Sequence, residues 1–143
     1  MEKDTIELLK ECDAGAKMAV SSVDEVFDKI SDPKLMDLLK ESKSHHEKLC
    51  DDVHHLLNEH HSNEKDPNPM AKGMSWLKTN MKLTMDDSDA AIADLMIGGC
   101  HMGIKSLHKY LNQYQAADET SKGVCSRLIA IEKELVEDLY PYL

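Results

Sequence analysis

The chain repeats a short piece of itself. Cys12-Asp13-Ala14-Gly15-Ala16-Lys17 returns 88 residues later as Cys100-His101-Met102-Gly103-Ile104-Lys105, each copy inside a run of helical spacing. A fainter pair, Glu47-Lys48 and Glu132-Lys133, is offset by 85. One pair of related helices, each followed by a member of a second related pair, restricts the fold to two similar hairpins packed on each other. Composition points the same way. Aromatic residues make up only 4% of the 143, and leucine, methionine and alanine fill the apolar positions. That mixture favours helix over strand.

The stripes define the elements. Ile6, Leu9, Ala16, Val20, Val23, Phe27 and Ile30 recur in helical steps on one face. Asp4 or Thr5, with Glu7 following, is expected to cap this first helix. Asp32 and Pro33 end it and open the next, Asp32 as cap and Pro33 at the first helical position, where no amide hydrogen is missed. The second stripe is Leu35, Leu39, Ser42, His46, Leu49, Val53 and Leu56, on a helix running to about His61. A connection this short makes the pair an antiparallel hairpin. Asp66-Pro67-Asn68-Pro69 breaks the pattern. Met70, Met74, Leu77 and Met81 then mark a short amphipathic helix beside Trp76, with Asp86 to Asp89 as the next cap. The third helix spans about Asp89 to Gln115. The fourth, capped near Asp118, carries Val124, Leu128, Ile131, Leu135 and Leu139 and closes at Pro141. The expected domain is a single all-α four-helix bundle: hairpin 4–61, crossover 62–87, hairpin 88–141. Gly98, Gly99 and Gly103 each cost about 1 kcal/mol in a helix relative to alanine, and close helix approach is expected to offset that cost, at Gly15 as well.

Charge excludes whole classes of partner. The net charge is −10, and no basic patch offsets it, so neither nucleic acid nor an anionic membrane is an expected ligand. No apolar run reaches the roughly 18 residues of a membrane span. The polar start Met1-Glu2-Lys3-Asp4 has no signal-peptide core, so the expected location is the cytoplasm. The thiols Cys12, Cys50, Cys100 and Cys125 form no CxxC pair and read as small buried hydrophobes there.

The chain resembles a bacterial family of ferritin-like four-helix domains of unknown function. The likeness lies in Thr5-Ile6-Glu7-Leu8-Leu9 with Cys12-Asp13-Ala14-Gly15, in Ser31-Asp32-Pro33-Lys34-Leu35, in Gly73-Met74-Ser75-Trp76-Leu77-Lys78, in the stretch Asp87 to Leu95, and in Cys100 to Gly103. The resemblance implies a ferritin-like bundle. It also implies an acidic residue after the glycine of the first and third helices, where this chain has Ala16 and Ile104.

A di-iron bundle requires inward carboxylates with Glu-x-x-His pairs. The second helix has no Glu-x-x-His and the fourth has no histidine, so ferroxidase chemistry is not expected. Six of the eight histidines lie on or just after the second helix, and His46, Cys50 and His54 step by four along one surface. Zinc accepts thiolate and imidazole. Levelling the hairpins about residue 32 brings Asp13 and Cys12 beside Cys50, and the repeat adds Cys100 and His101. The candidate metal ligands are therefore Asp13, His46, Cys50 and His101. The competing reading makes His46 and His101 core-edge residues hydrogen-bonded to carboxylates, and His54-His55 and His60-His61 a solvated face.

A nucleophilic Cys50 beside His46 and His54 is disfavoured by its acidic, mid-helix setting. The glycines lie within a helix, not after a strand, which removes a dinucleotide loop. The expected function is thus a non-catalytic module that binds a helical protein partner or dimerises, with no cofactor. The alternatives are a zinc- or iron-binding redox protein and a thiol-based sensor.

Overall fold

The computed structural model describes residues 2–61 and 88–143. Those residues form four long helices: α1 (Glu2–Phe27), α2 (Pro33–Glu59), α3 (Asp89–Gln113) and α4 (Glu119–Leu139). A 3₁₀ turn, Tyr140–Tyr142, follows. No strand occurs among them. Among the described residues no helix is long and apolar enough to cross a membrane. The short helix expected around Met70 to Met81 lies outside the described residues.

Three helix starts are fixed by side chains. The Asp32 carboxylate accepts from the Lys34 amide at 2.8 Å, with Pro33 next to it, as expected. Ser88 caps α3 through the Ala91 amide, and Asp118 caps α4 through the Ser121 amide. Each cap satisfies an amide that the helix itself leaves unpaired. The expected cap at Asp4 or Thr5 is corrected. α1 begins earlier, at Glu2, and these two side chains turn outward from their own helix. Asp4 accepts from the Ala116 amide at 3.1 Å and Thr5 from the Asp118 amide at 2.8 Å. They hold the α3–α4 connection. Asp89 does the same for the α1–α2 connection, taking the Ser31 and Asp32 amides at 2.9 and 2.8 Å.

These clamps set the directions of the helices. The start of α1 lies by the start of α4, and the start of α3 by the turn between α1 and α2. α1 and α4 therefore run parallel, as do α2 and α3. His60, just past α2, meets Glu2, so α2 finishes at the end of the bundle opposite the start of α3. α1 packs closely on α2, and α3 on α4. α1 and α4 each also touch both remaining helices.

The core divides into two apolar clusters. One, toward the start of α1, holds Leu8, Leu9, Leu49, Val53, Leu57 and Leu128 with Cys12, Cys50 and Cys125. The other, toward the α1–α2 turn, holds Val26, Leu35, Leu39, Ile92, Leu135 and Leu139 with Cys100. Each fully buried leucine contributes about 1.5–3 kcal/mol over its exposed state.

The expectation that close helix approach demands glycine is corrected at two positions. A Cβ built on Gly15 would sit 3.7 Å from Leu128 Cδ2, and one on Gly103 would sit 3.7 Å from Glu132 Oε1. Both distances are ordinary van der Waals contact. Alanine fits at either place, so helix crossing does not require these glycines.

Candidate ligand cavity and its buried ion pair

A cavity of about 440 Å³ lies along the α1–α3 seam, where the two clusters meet. Its α1 wall is mostly small and apolar, with Ala14, Gly15, Met18 and Ala19 between Glu11 and Ser22. Its α3 wall carries Leu95, Met96, Gly99 and Gly103. α2 and α4 supply the polar floor, Ser42 and His46 from one and Glu132 from the other. The size falls in the range of small-molecule sites.

The floor is a buried, charged constellation. His46 is fully buried and Glu132 is only 6% exposed. His46 Nδ1 lies 2.7 Å from the Ser42 carbonyl oxygen. A carbonyl can only accept, so Nδ1 carries a proton and donates it. His46 Nε2 faces Glu132 Oε1 at 3.4 Å. Burial pushes the imidazole toward its neutral form. The Glu132 hydrogen bond and charge, together with the Ser42 carbonyl, outweigh this and leave its pKa raised above the ordinary value. The Cys100 thiol also hydrogen-bonds to Glu132. Burial first, then the Glu132 charge and this bond, raise its pKa strongly and hold it as a thiol. Glu132 thus has two partners, one of them at long range for a charged pair, where 2.7–2.9 Å is usual.

A second buried carboxylate lies toward the other cluster. Asp13 is fully buried. Its Oδ1 contacts His54 Nε2 at 2.9 Å and its Oδ2 lies 2.9 Å from Lys17 Nζ. The Lys17 approach is off-line for a hydrogen bond, yet the charge contact is short. Both partners are partly exposed, His54 at 31% and Lys17 at 25% of their side chains.

The four residues singled out as metal ligands therefore go to different places. Asp13 is held by His54 and Lys17. His46 is held by Glu132 and Ser42. Cys50 sits in the apolar cluster with Cys12, and His101 is exposed. Among the described residues, no group of three or more His, Cys, Asp or Glu side chains is arranged to hold a metal ion. Equal height along the hairpins was not enough, because residues at one level still point to different sides of their helices. The reading of His46 as a core histidine bonded to a carboxylate describes its contact with Glu132, whereas His101 meets solvent. His54, expected on a solvated face, instead reaches the interior through Asp13.

Glu132 was missed, although a signal was present. It lies four residues after Leu128 and three before Leu135, on the inward stripe of the fourth helix. All four cysteines are buried thiols outside any disulfide. The Cys12 thiol is pushed up by its hydrogen bond to Cys125 and then by burial, which leaves it a poor nucleophile. No protein-family model, curated protein or solved structure matches this chain.

Proposed function

We propose that this chain is a ferritin-like helical module that acts by binding rather than by catalysis, and that its ligand is a small apolar molecule lodged between α1 and α3. The observation that carries this reading is the 440 Å³ cavity, mostly apolar along both walls, with Ser42, His46 and Glu132 at its floor. It opens to solvent beside half-exposed Met102, so its apolar lining stays in contact with water unless something occupies it. The ferritin-like assignment is supported by helix direction: α1 parallel to α4, α2 parallel to α3, and α2 ending opposite the start of α3. A binding role is supported by the Cys12 and Cys100 thiols, both held protonated, and by a histidine whose Nδ1 is committed to a backbone carbonyl.

Methionine-methyl NMR with 1-octanol as probe tests the reading. Met18, Met96 and Met102 line the cavity, whereas Met36 packs elsewhere, against the Leu35 cluster. The first three methyl signals are expected to move saturably on titration while the Met36 signal stays fixed. Absence of saturable movement, or equal movement at Met36, would refute the cavity as a binding site.

A further inference from the structure

Resting on that reading, we infer that the ligand carries a protonated amine, placed between Glu132 Oε1 and His46 Nε2 with its apolar body along the α1–α3 seam. The tautomer of His46 decides the matter. Because Nδ1–H is committed to the Ser42 carbonyl at 2.7 Å, Nε2 of a neutral imidazole presents a lone pair to the Glu132 carboxylate. Two acceptors then face each other across 3.4 Å. They attract only when a proton lies between them. His46 itself supplies that proton as imidazolium, and an ammonium group, with three donors and no acceptor, can supply it instead.

The surroundings select the same chemistry. The titratable groups lining the cavity are Glu11 from α1, His46 from α2, Cys100 and Tyr110 from α3 and Glu132 from α4. No lysine or arginine lines the cavity among the described residues. A carboxylate ligand would thus meet the Glu132 carboxylate and no lysine or arginine of the lining, at a cost that burial magnifies. A metal cation lacks a ligand set among the described residues. The α3 face also leaves the carboxylate uncovered. Gly103 has no side chain where a Cβ would stand 3.7 Å from Glu132 Oε1, and Gly99 lies one turn earlier on the same wall.

Binding is then an exchange. The ammonium enters with its own protons, the imidazolium beside it becomes unfavourable, and His46 Nε2 releases one proton to water. No covalent bond forms or breaks. Amine and proton compete for one place, so affinity rises with pH until His46 is neutral, and falls again only when the amine itself loses its charge.

Calorimetry on the full chain with 1-octylamine, 1-octanol and octanoate tests this, since the three share one apolar body. Octylamine is expected to bind about tenfold or more tighter than octanol, an ordinary gain for a charge-assisted contact, with octanoate weakest. Its affinity should rise from pH 6 to pH 8 with net proton release, read by repeating the titration in buffers of different ionisation enthalpy. Glu132→Gln should abolish the preference and bring octylamine to the level of octanol measured on the same variant. Octanoate binding as tightly as octylamine, or an amine preference that survives Glu132→Gln, would overturn the inference. So would amine affinity independent of pH in the unmodified chain, a result that depends on no variant folding. If octanol binds and the amine is not favoured, the cavity stands and only the head group is wrong. If none of the three binds, the cavity reading fails first.

Discussion

The two buried carboxylates of this bundle, Asp13 and Glu132, each face a histidine of α2, and the histidines are eight residues apart. The resemblance ends there. Asp13 is met at 2.9 Å by both His54 and Lys17, whose outer ends reach water. Lys17 sets a positive charge 2.9 Å from its Oδ2. Glu132 is met at 3.4 Å by one fully enclosed histidine and by a thiol, and it opens on a cavity. Two buried acids on one scaffold thus divide into one held by two short contacts and one held loosely beside a cavity. The difference comes from the neighbours: a lysine one turn away on the same helix in one case, a glycine on the facing helix in the other.

The sharpest way to break this contrast is to strip each acid of its partners. Lys17→Met with His54→Leu leaves Asp13 buried without compensation and should cost about 3–5 kcal/mol. Chemical denaturation at pH 7 reads this, and a loss below about 1 kcal/mol, the scale of an exposed pair, would place Asp13 among surface ion pairs instead. Asp89 is another committed carboxylate, bonded to two backbone amides of the α1–α2 turn. Asp89→Ala should lower stability by about 1–2 kcal/mol, less than the buried pair because the turn is partly exposed. Hydrogen exchange at Ser31 and Asp32 should accelerate in that variant. Unchanged exchange would dissociate the clamp from the turn.

Smaller effects sharpen the contrast between walls and floor. Gly15→Ala should stabilise the protein by about 1 kcal/mol, since its methyl enters ordinary contact with Leu128 and the helix gains propensity. Destabilisation would show that α1 approaches its neighbours more closely than the structure has it. Gly103→Ala is expected to stabilise likewise but to weaken octylamine binding, because the methyl covers the Glu132 carboxylate.

The smallest effect is read by its sign. The folded-state pKa of His46 is raised, through Glu132, above its unfolded value. Its contribution to stability is therefore full below the ordinary histidine pKa of about 6.5 and is lost as pH rises through the folded value. The stability advantage of the unmodified chain over Glu132→Gln should accordingly shrink between pH 6 and pH 8. An advantage that grows with pH would mean that His46 is neutral throughout.

Much of the fold was legible because the apolar steps of three and four are long and uninterrupted. Asp32-Pro33, Ser88 and Asp118 each carry their own stop and start chemistry. Asp4 and Thr5 misled because a cap signature says which side chains seek amides, not whose amides they find. Theirs belong to residues 116 and 118, more than a hundred positions away. The site was harder to read for a related reason. Height along a hairpin follows from counting, but rotation about each helix decides whether Asp13 turns to His54 or to His46. Helical spacing did place Ser42 and His46 inward, and it would have placed Glu132 there had a charged residue been admitted to the fourth stripe. The cavity itself leaves almost no trace in the sequence, since a row of small residues encodes close packing and empty space alike.

The most direct test of Glu132 as the amine acceptor is a crystal structure of the full chain with 1-octylamine at saturating concentration. The account predicts the alkyl chain between α1 and α3, its nitrogen within hydrogen-bonding distance of both Glu132 Oε1 and His46 Nε2. Helices closed over an empty Glu132–His46 pair, or an amine seated at Asp13 instead, would contradict it.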